Sequence, residues 1–399
     1  MNKKMIKTDF LLEKQSDLMR GVLLPSASTE EVDRLRSLRV QAQKNNILLA
    51  LKELDGNKTV TDSIRASAKH LTMLLEALPA ASIMALRLPP VIPVYHGWDQ
   101  IRVASPEQLL QFYGVLIGAP GVPPFSTIIP GQACVDGCLF MPSLGVYLFN
   151  HGGPIAVEVD DSQITFTWFD GIQMSVPNRN LSNSGITHQR LISLPKVEQY
   201  TVINAAPGLH HIGQAEWSIP SERLEVLQQG CNILSTCWPD AYASCQRTYR
   251  AIVVLKHSHE QLFSFTDGDC PDVLYSSLRE PMQVADTMVH ESAHARLALL
   301  FHKDPLINDS PQELHGSPWR KDKRPMTGIL NGVHAFANVC LFYKRVLDVY
   351  PEMESGISPF LEKQTAHVKD AWKYMEKRST PTEIGQQLFD GLKPLVKSL

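Results

Sequence analysis

Thr287-Met288-Val289-His290-Glu291-Ser292-Ala293-His294-Ala295-Arg296-Leu297-Ala298-Leu299-Leu300 is the stretch on which the reading of the chain turns. Pro281 stands near its start, and Pro305 follows His302 and Lys303 at its end, so the pattern predicts one helix over 281–302. Nearly every turn is apolar, which predicts that the helix is buried. On a helix, residues four apart share a face one turn apart, so the His290 and His294 imidazoles can hold one metal ion. Glu291 is offset from His290 by about 100°. It therefore sits beside a metal-bound water rather than in the ion's own shell, which makes it the candidate catalytic base. Chance alone supplies this pattern on the order of 0.02 times in a chain with this many histidines, and a buried His–Glu–His cluster without a partner is costly. The expected content of the helix is thus a metal.

The third ligand sets the class. Zinc peptidases with a glycine three residues past the second histidine, and another histidine three further on, are excluded because Leu297 and Leu300 occupy those positions. Glu313 and His315 follow a loop-like Asn308-Asp309-Ser310-Pro311 stretch. His334 lies early in a second apolar helix, within Gly328-Ile329-Leu330-Asn331-Gly332-Val333-His334-Ala335-Phe336. Ligands on two packed helices are held more rigidly than ligands on a loop, and His334 is the expected third ligand. Between the two helices runs Ser317-Pro318-Trp319-Arg320-Lys321-Asp322-Lys323-Arg324-Pro325. It reads either as a solvated charged turn or as a source of a guanidinium that meets a carboxylate through two parallel hydrogen bonds.

Outward from this segment the hydrophobic period changes twice. Glu30–Leu51 and Ser63–Leu88 read as helices. Pro89, Pro90 and Pro93 begin a connector to about residue 130 that holds one helix near 106–117. Ile155–Val159 and Ile164–Trp168 read as a β-meander, with short strands near 190–194 and 200–203. A helix opens at Ser221, strands are expected at 250–255 and 261–265, and the last hundred residues return to helix at 326–350, 359–378 and 383–397. The expected class is α+β: a helical N-terminal region and connector over 1–130, a β-rich region with a central antiparallel meander over 131–215, and a helical metal-binding half over 216–399.

Composition excludes partners. The chain has 399 residues, 38 Lys+Arg against 41 Asp+Glu and a net charge of −3, so it lacks the electrostatic footprint of a nucleic-acid binder. No apolar run approaches a membrane span. The basic start is followed by Glu13-Lys14-Gln15-Ser16-Asp17 instead of a signal-peptide core. Seven scattered cysteines do not form a disulfide framework, and the cytoplasm is the expected compartment. Of 14 histidines, His210, His211, His257 and His259 are assigned to the background. Cys134 and Cys138 are three residues apart rather than two and read as ordinary thiols. Asp267-Gly268-Asp269 lacks the order of a calcium loop.

Three segments together, Thr287–Leu297, Ser317–Pro325 and Thr327–Phe336, resemble the HExxH-motif peptide-modification proteins that accompany ribosomally made, post-translationally modified peptides in bacteria. The resemblance covers roughly residues 250–350, and the proline-tryptophan-arginine element is its most distinctive part. It implies an Fe(II)- and 2-oxoglutarate-dependent dioxygenase that uses O2 to hydroxylate a β-carbon, such as that of Asp, Asn or His, in a precursor peptide. It implies that His290, His294 and His334 bind iron, and that Arg320 or Arg324 binds the 2-oxoglutarate carboxylate. Three protein ligands leave three octahedral positions, two for the keto acid and one for O2. Glu291 has no acid–base task in that chemistry. A zinc peptidase using Glu291 as base therefore stands as one alternative, and a peptide-binding maturation protein with a structural metal as another.

Overall fold

A computed structural model describes residues 16–25, 30–78, 106–134, 138–141, 143–149, 152–179, 181, 187–188, 191–194, 196–203, 219–255, 264–266, 273–301 and 303–399. Pro89, Pro90, Pro93, His210, His211, His257, His259 and Asp267-Gly268-Asp269 lie outside the described residues. The helices are α1 (Asp17–Leu23), α2 (Glu30–Gly56), α3 (Asp62–Ala77), α4 (Phe112–Leu116), α5 (Ser221–Cys237), α6 (Pro239–Thr248), α7 (Pro281–Phe301), α8 (Met326–Val349), α9 (Glu354–Arg378) and α10 (Glu383–Ser398). Ser16, Thr61 and Thr382 cap α1, α3 and α10, each side-chain oxygen accepting from a first-turn N–H.

The chain is α+β, with strands in three larger sheets and a hairpin. Strands β1 (Phe125–Ile129), β4 (Ile155–Val159), β5 (Gln163–Trp168) and β6 (Gln173–Pro177) form an antiparallel sheet in the order β1-β4-β5-β6. In β4 the inward residues Ile155, Val157 and Val159 are buried, which is the period-2 pattern of a half-covered strand. Strands β2 (Cys138–Met141), β3 (Val146–Phe149), β7 (Thr187–His188) and β8 (Leu191–Ser193) form a second antiparallel sheet. The third contains β9 (Lys196–Val197), β10 (Tyr200–Ile203), β11 (Ala251–Val254), β12 (Ser264–Thr266) and β13 (Val273–Ser276), in the order β12-β13-β11-β10-β9. Here β10, β11 and β13 run parallel, which the meander reading did not anticipate. Parallel neighbours need a long crossover, and α5 and α6 provide the one between β10 and β11. A hairpin of β14 (His315–Ser317) and β15 (Arg320–Arg324) closes the list.

The apolar residues fall into two large clusters. One joins α3, α4 and the first two sheets to the second half of α2, from Val40 to Leu54. The other joins α1 and the first turns of α2, with Val32 and Leu35, to the parallel strands and α5–α10. Helix α2 thus serves both. Helix α7 lies inside the second cluster, as its all-round apolar sequence requires. Gly230 lets α5 approach it: a Cβ there would stand 2.6 Å from Val284 Cγ1. Helix α9 starts at Glu354, five residues before the expected Pro359. The carbonyl that proline leaves without a donor, that of Ser355, belongs to an exposed residue and is left to water. Among the described residues no helix is long and apolar enough to cross a membrane.

Candidate metal centre and its cavity

The i, i+4 spacing does what helix geometry demands. The Nε2 atoms of His290 and His294 lie 3.0 Å apart, with the rings edge to face at 4.7 Å. Two nitrogens each about 2.1 Å from one ion at about 90° stand ~3.0 Å apart, so the pair matches two adjacent positions around a divalent metal. Burial holds both rings neutral, the state that ligates. The His290 ring is pushed well below the usual histidine range by burial, with His294 and His334 adding to it; burial takes His294 down to about 4.

The pair faces a cavity of about 570 Å³. Its apolar wall is Ala295, Ala298 and Phe301 of α7 with Phe336 of α8 and Trp319 of the β14–β15 turn. Trp319 stacks on Phe336 at 4.8 Å, nearly parallel, and Phe336 meets the His290 ring edge to face at 4.7 Å. Trp319 Nε1 donates to Gln364 Oε1 at 3.0 Å. Gly332 makes room for this indole, since a Cβ there would stand 2.6 Å from it. The tryptophan in the charged segment is therefore part of the site, and its glycine seat was not singled out from sequence.

Arg320 and Arg324 line the same cavity. The charged run is a strand rather than a turn, and residues 320, 322 and 324 share one face of it. Asp322 lies between the guanidiniums, 2.6 Å from Arg324 Nε and 3.6 Å from Arg320 Nε. Both arginines keep exposed surface, with side-chain exposures of 61% and 37%.

Glu291 is only 3% exposed, although it borders the cavity. Its Oε1 accepts from Ser264 Oγ at 2.9 Å, and the hydroxyl and backbone N–H of Thr266 lie near enough to its carboxylate to favour the charged form. Burial outweighs these contacts and pushes the carboxyl up to about 7. The Asn331 side chain lies near enough to the His294 ring to oppose the lowering by burial, while its amide nitrogen donates to Thr327 O at 3.0 Å. Neither Ser264, Thr266 nor Asn331 carries a signal in the sequence, because each acts through a contact made across the fold.

His334 is fully buried and is not part of the cavity lining. Its Nε2 donates to Val22 O at 2.9 Å, and its Nδ1 is buried without a hydrogen-bond partner. Burial and the Arg296 charge lower its pKa to about 3. Among the described residues no three His, Cys, Asp or Glu side chains gather around one point, so His290 and His294 stand as a pair. Neither Glu313 nor His315 lines the cavity; His315 Nδ1 lies 3.0 Å from Tyr374 OH.

A buried polar network ties α7 and α8, the helices of His294 and His334, to α1. Arg296 is almost fully buried and donates to Val22 O, Ser292 Oγ and Asn338 Oδ1 at 3.2, 3.1 and 3.0 Å. Asn338 donates to Leu23 O at 3.1 Å. Compared with family models and with curated proteins, the chain matches none.

Proposed function

We propose that this cavity is the reaction site of an Fe(II)- and 2-oxoglutarate-dependent hydroxylase acting on a precursor peptide. One observation carries the reading: two neutral imidazoles at ligand spacing open onto the same cavity as two guanidiniums. His290 and His294 would hold the ion; His334, whose charge would bear on His290, keeps a buried Nδ1 without a hydrogen-bond partner. Bound iron supplies the oxidising chemistry, with 2-oxoglutarate and O2 as cosubstrates and succinate and CO2 as the by-products.

The chain's own residues have distinct tasks in this reading. Arg320 and Arg324 bind and orient the distal carboxylate of the keto acid, for which a guanidinium fork is suited. Phe301, Phe336 and Trp319 exclude water, which a strongly oxidising site requires. Asn331 holds the His294 ring in one orientation, as partners behind metal-ligating histidines commonly do.

The test is anaerobic addition of Fe(II) and 2-oxoglutarate. A visible charge-transfer band, and succinate release once O2 and peptide are added, support the proposal. Absence of the band, together with tight zinc binding and peptide cleavage lost in Glu291→Gln, favours a zinc hydrolase instead. Loss of thermal stability alone in His290→Ala favours a structural metal.

A further inference from the structure

Glu291 is the one charged residue of the HExxH helix motif that the proposed chemistry leaves unused. Its carboxylate is turned to one element, the strand β12. Ser264 Oγ donates to Oε1 at 2.9 Å, and the hydroxyl and backbone N–H of Thr266 are the further donors near this carboxylate. Strand β12 is the terminal strand of its sheet, paired on one side with β13 and carrying no strand on the other among the described residues. In antiparallel pairing, alternate residues turn their N–H and C=O groups away from the partner strand, and an outward backbone donor at an edge needs a partner. The third group around Thr266 is Tyr249 OH, 3.3 Å from its Oγ1. Ser264, Phe265 and Thr266 also form one wall of the cavity, so whatever fixes β12 fixes the cavity's shape.

We infer that Glu291 is a positioning residue: it clamps the edge strand β12 against the metal helix and so sets that wall of the cavity, rather than acting on a metal-bound water. The inference shares with the proposed function only the reading that the cavity receives substrate. It makes a separate demand on chemistry. A general base needs a carboxylate, and glutamine cannot replace it. A clamp needs an acceptor for the Thr266 N–H and partners for two hydroxyls, which can accept as well as donate. Glutamine meets both needs.

The experiment compares Glu291→Gln with Glu291→Ala in the metal-free full-length chain by amide exchange at Thr266. It then compares cobalt(II) binding and the pH dependence of the cobalt spectrum. The alanine variant is expected to speed Thr266 exchange about tenfold or more, the scale of losing a charge-assisted hydrogen bond, and glutamine to restore it to within about twofold. The cobalt spectrum of the glutamine variant is expected to keep the wild-type pH profile. Should the alanine variant not fold, Ser264→Ala with Thr266→Val removes two of the three donors and is expected to speed exchange about threefold. Unchanged exchange in the alanine variant or, if it does not fold, in the Ser264→Ala/Thr266→Val variant overturns the inference. So does a glutamine variant as fast as alanine, or a glutamine variant with a displaced cobalt pH profile. Exchange is read without metal, so a failure to bind iron and 2-oxoglutarate would remove the oxygenase reading and leave the clamp standing.

Discussion

His334 Nε2 lies 2.9 Å from the carbonyl oxygen of Val22, 312 residues earlier in the chain. That carbonyl also accepts from Arg296 Nε, so one oxygen of α1 receives a donor from each of the two helices behind the candidate metal centre. A carbonyl only accepts, which assigns the proton to Nε2 and leaves Nδ1 as the lone pair. The N-terminal helix is thereby part of the support of the site.

Breaking this network is expected to be severe. Asn338→Leu leaves Leu23 O and one Arg296 nitrogen buried without partners, a loss of about 2–4 kcal/mol. Urea unfolding at neutral pH, with amide exchange over residues 17–23 as a local readout, checks it. A change below about 0.5 kcal/mol would mean that α1 is held by apolar contact alone.

The histidines predict acid sensitivity in the metal-free chain. His294 and His334 titrate near 4 and 3 when folded, below the ordinary 6.5. Their contribution is fully present above about pH 6.5 and is lost as pH falls toward about 4 for His294 and about 3 for His334. At pH 5 each ring held neutral costs about 2 kcal/mol relative to pH 8. Melting temperatures of the wild type and His294→Gln at the two pH values measure this, and the variant is expected to lose less on acidification.

Asp286 predicts the opposite sign. Its buried carboxyl is pushed up to about 7, while the Tyr343 hydroxyl donates to it at 3.0 Å. A carboxyl with a raised folded pKa favours the fold below the unfolded value near 3.8 and loses that contribution as pH rises through 7. Asp286→Asn keeps an acceptor for Tyr343 and removes the charge. It is expected to stabilise the chain by up to about 4 kcal/mol at pH 8 and by almost nothing at pH 3.5, measured by chemical unfolding at both values.

Gly332→Ala places a methyl 2.6 Å from the Trp319 ring. Overpacking of this kind destabilises by about 1–3 kcal/mol, and the indole should leave its stack on Phe336. Near-ultraviolet circular dichroism reads the aromatic environment directly, with Trp319→Phe as the reference for a lost indole. An unaltered spectrum would show that the ring does not rest on Gly332.

Asp322 lies between Arg324 and Arg320, where the proposed function would seat the keto acid carboxylate. In anaerobic 2-oxoglutarate binding to the iron-loaded chain, Arg324→Gln is expected to weaken affinity about tenfold or more. Asp322→Asn is expected to tighten it by about threefold, a small effect because exposed ion pairs are weak. Equal affinity in the wild type and Arg324→Gln would remove this arginine from the site.

The legible part of this chain was local. The helix over 281–301 and the shared face of His290 and His294 follow from spacing, because four residues make one turn whatever surrounds them. The strand at 200–203 and the helices after 326 were also legible, apart from the first five residues of α9. Two features were not. The parallel pairing of β10, β11 and β13 depends on which strands a crossover brings together, and no residue of Tyr200–Ile203 or Ala251–Val254 encodes its neighbour. The strand at 320–324 was masked by its charge, since a run of Arg and Lys reads as solvated even when alternate residues face a cavity.

The amino-acid sequence by itself determined that two imidazoles share a face of a buried helix, beside a tryptophan-containing basic segment. Tertiary structure alone decided what each remaining group does. It turned Glu291 toward β12, set Trp319 over Gly332 and engaged His334 with Val22. The physical reason is that periodicity carries information over one or two turns. A buried hydrogen bond between residues 22 and 334 exists only because an entire apolar core brings them within 3 Å.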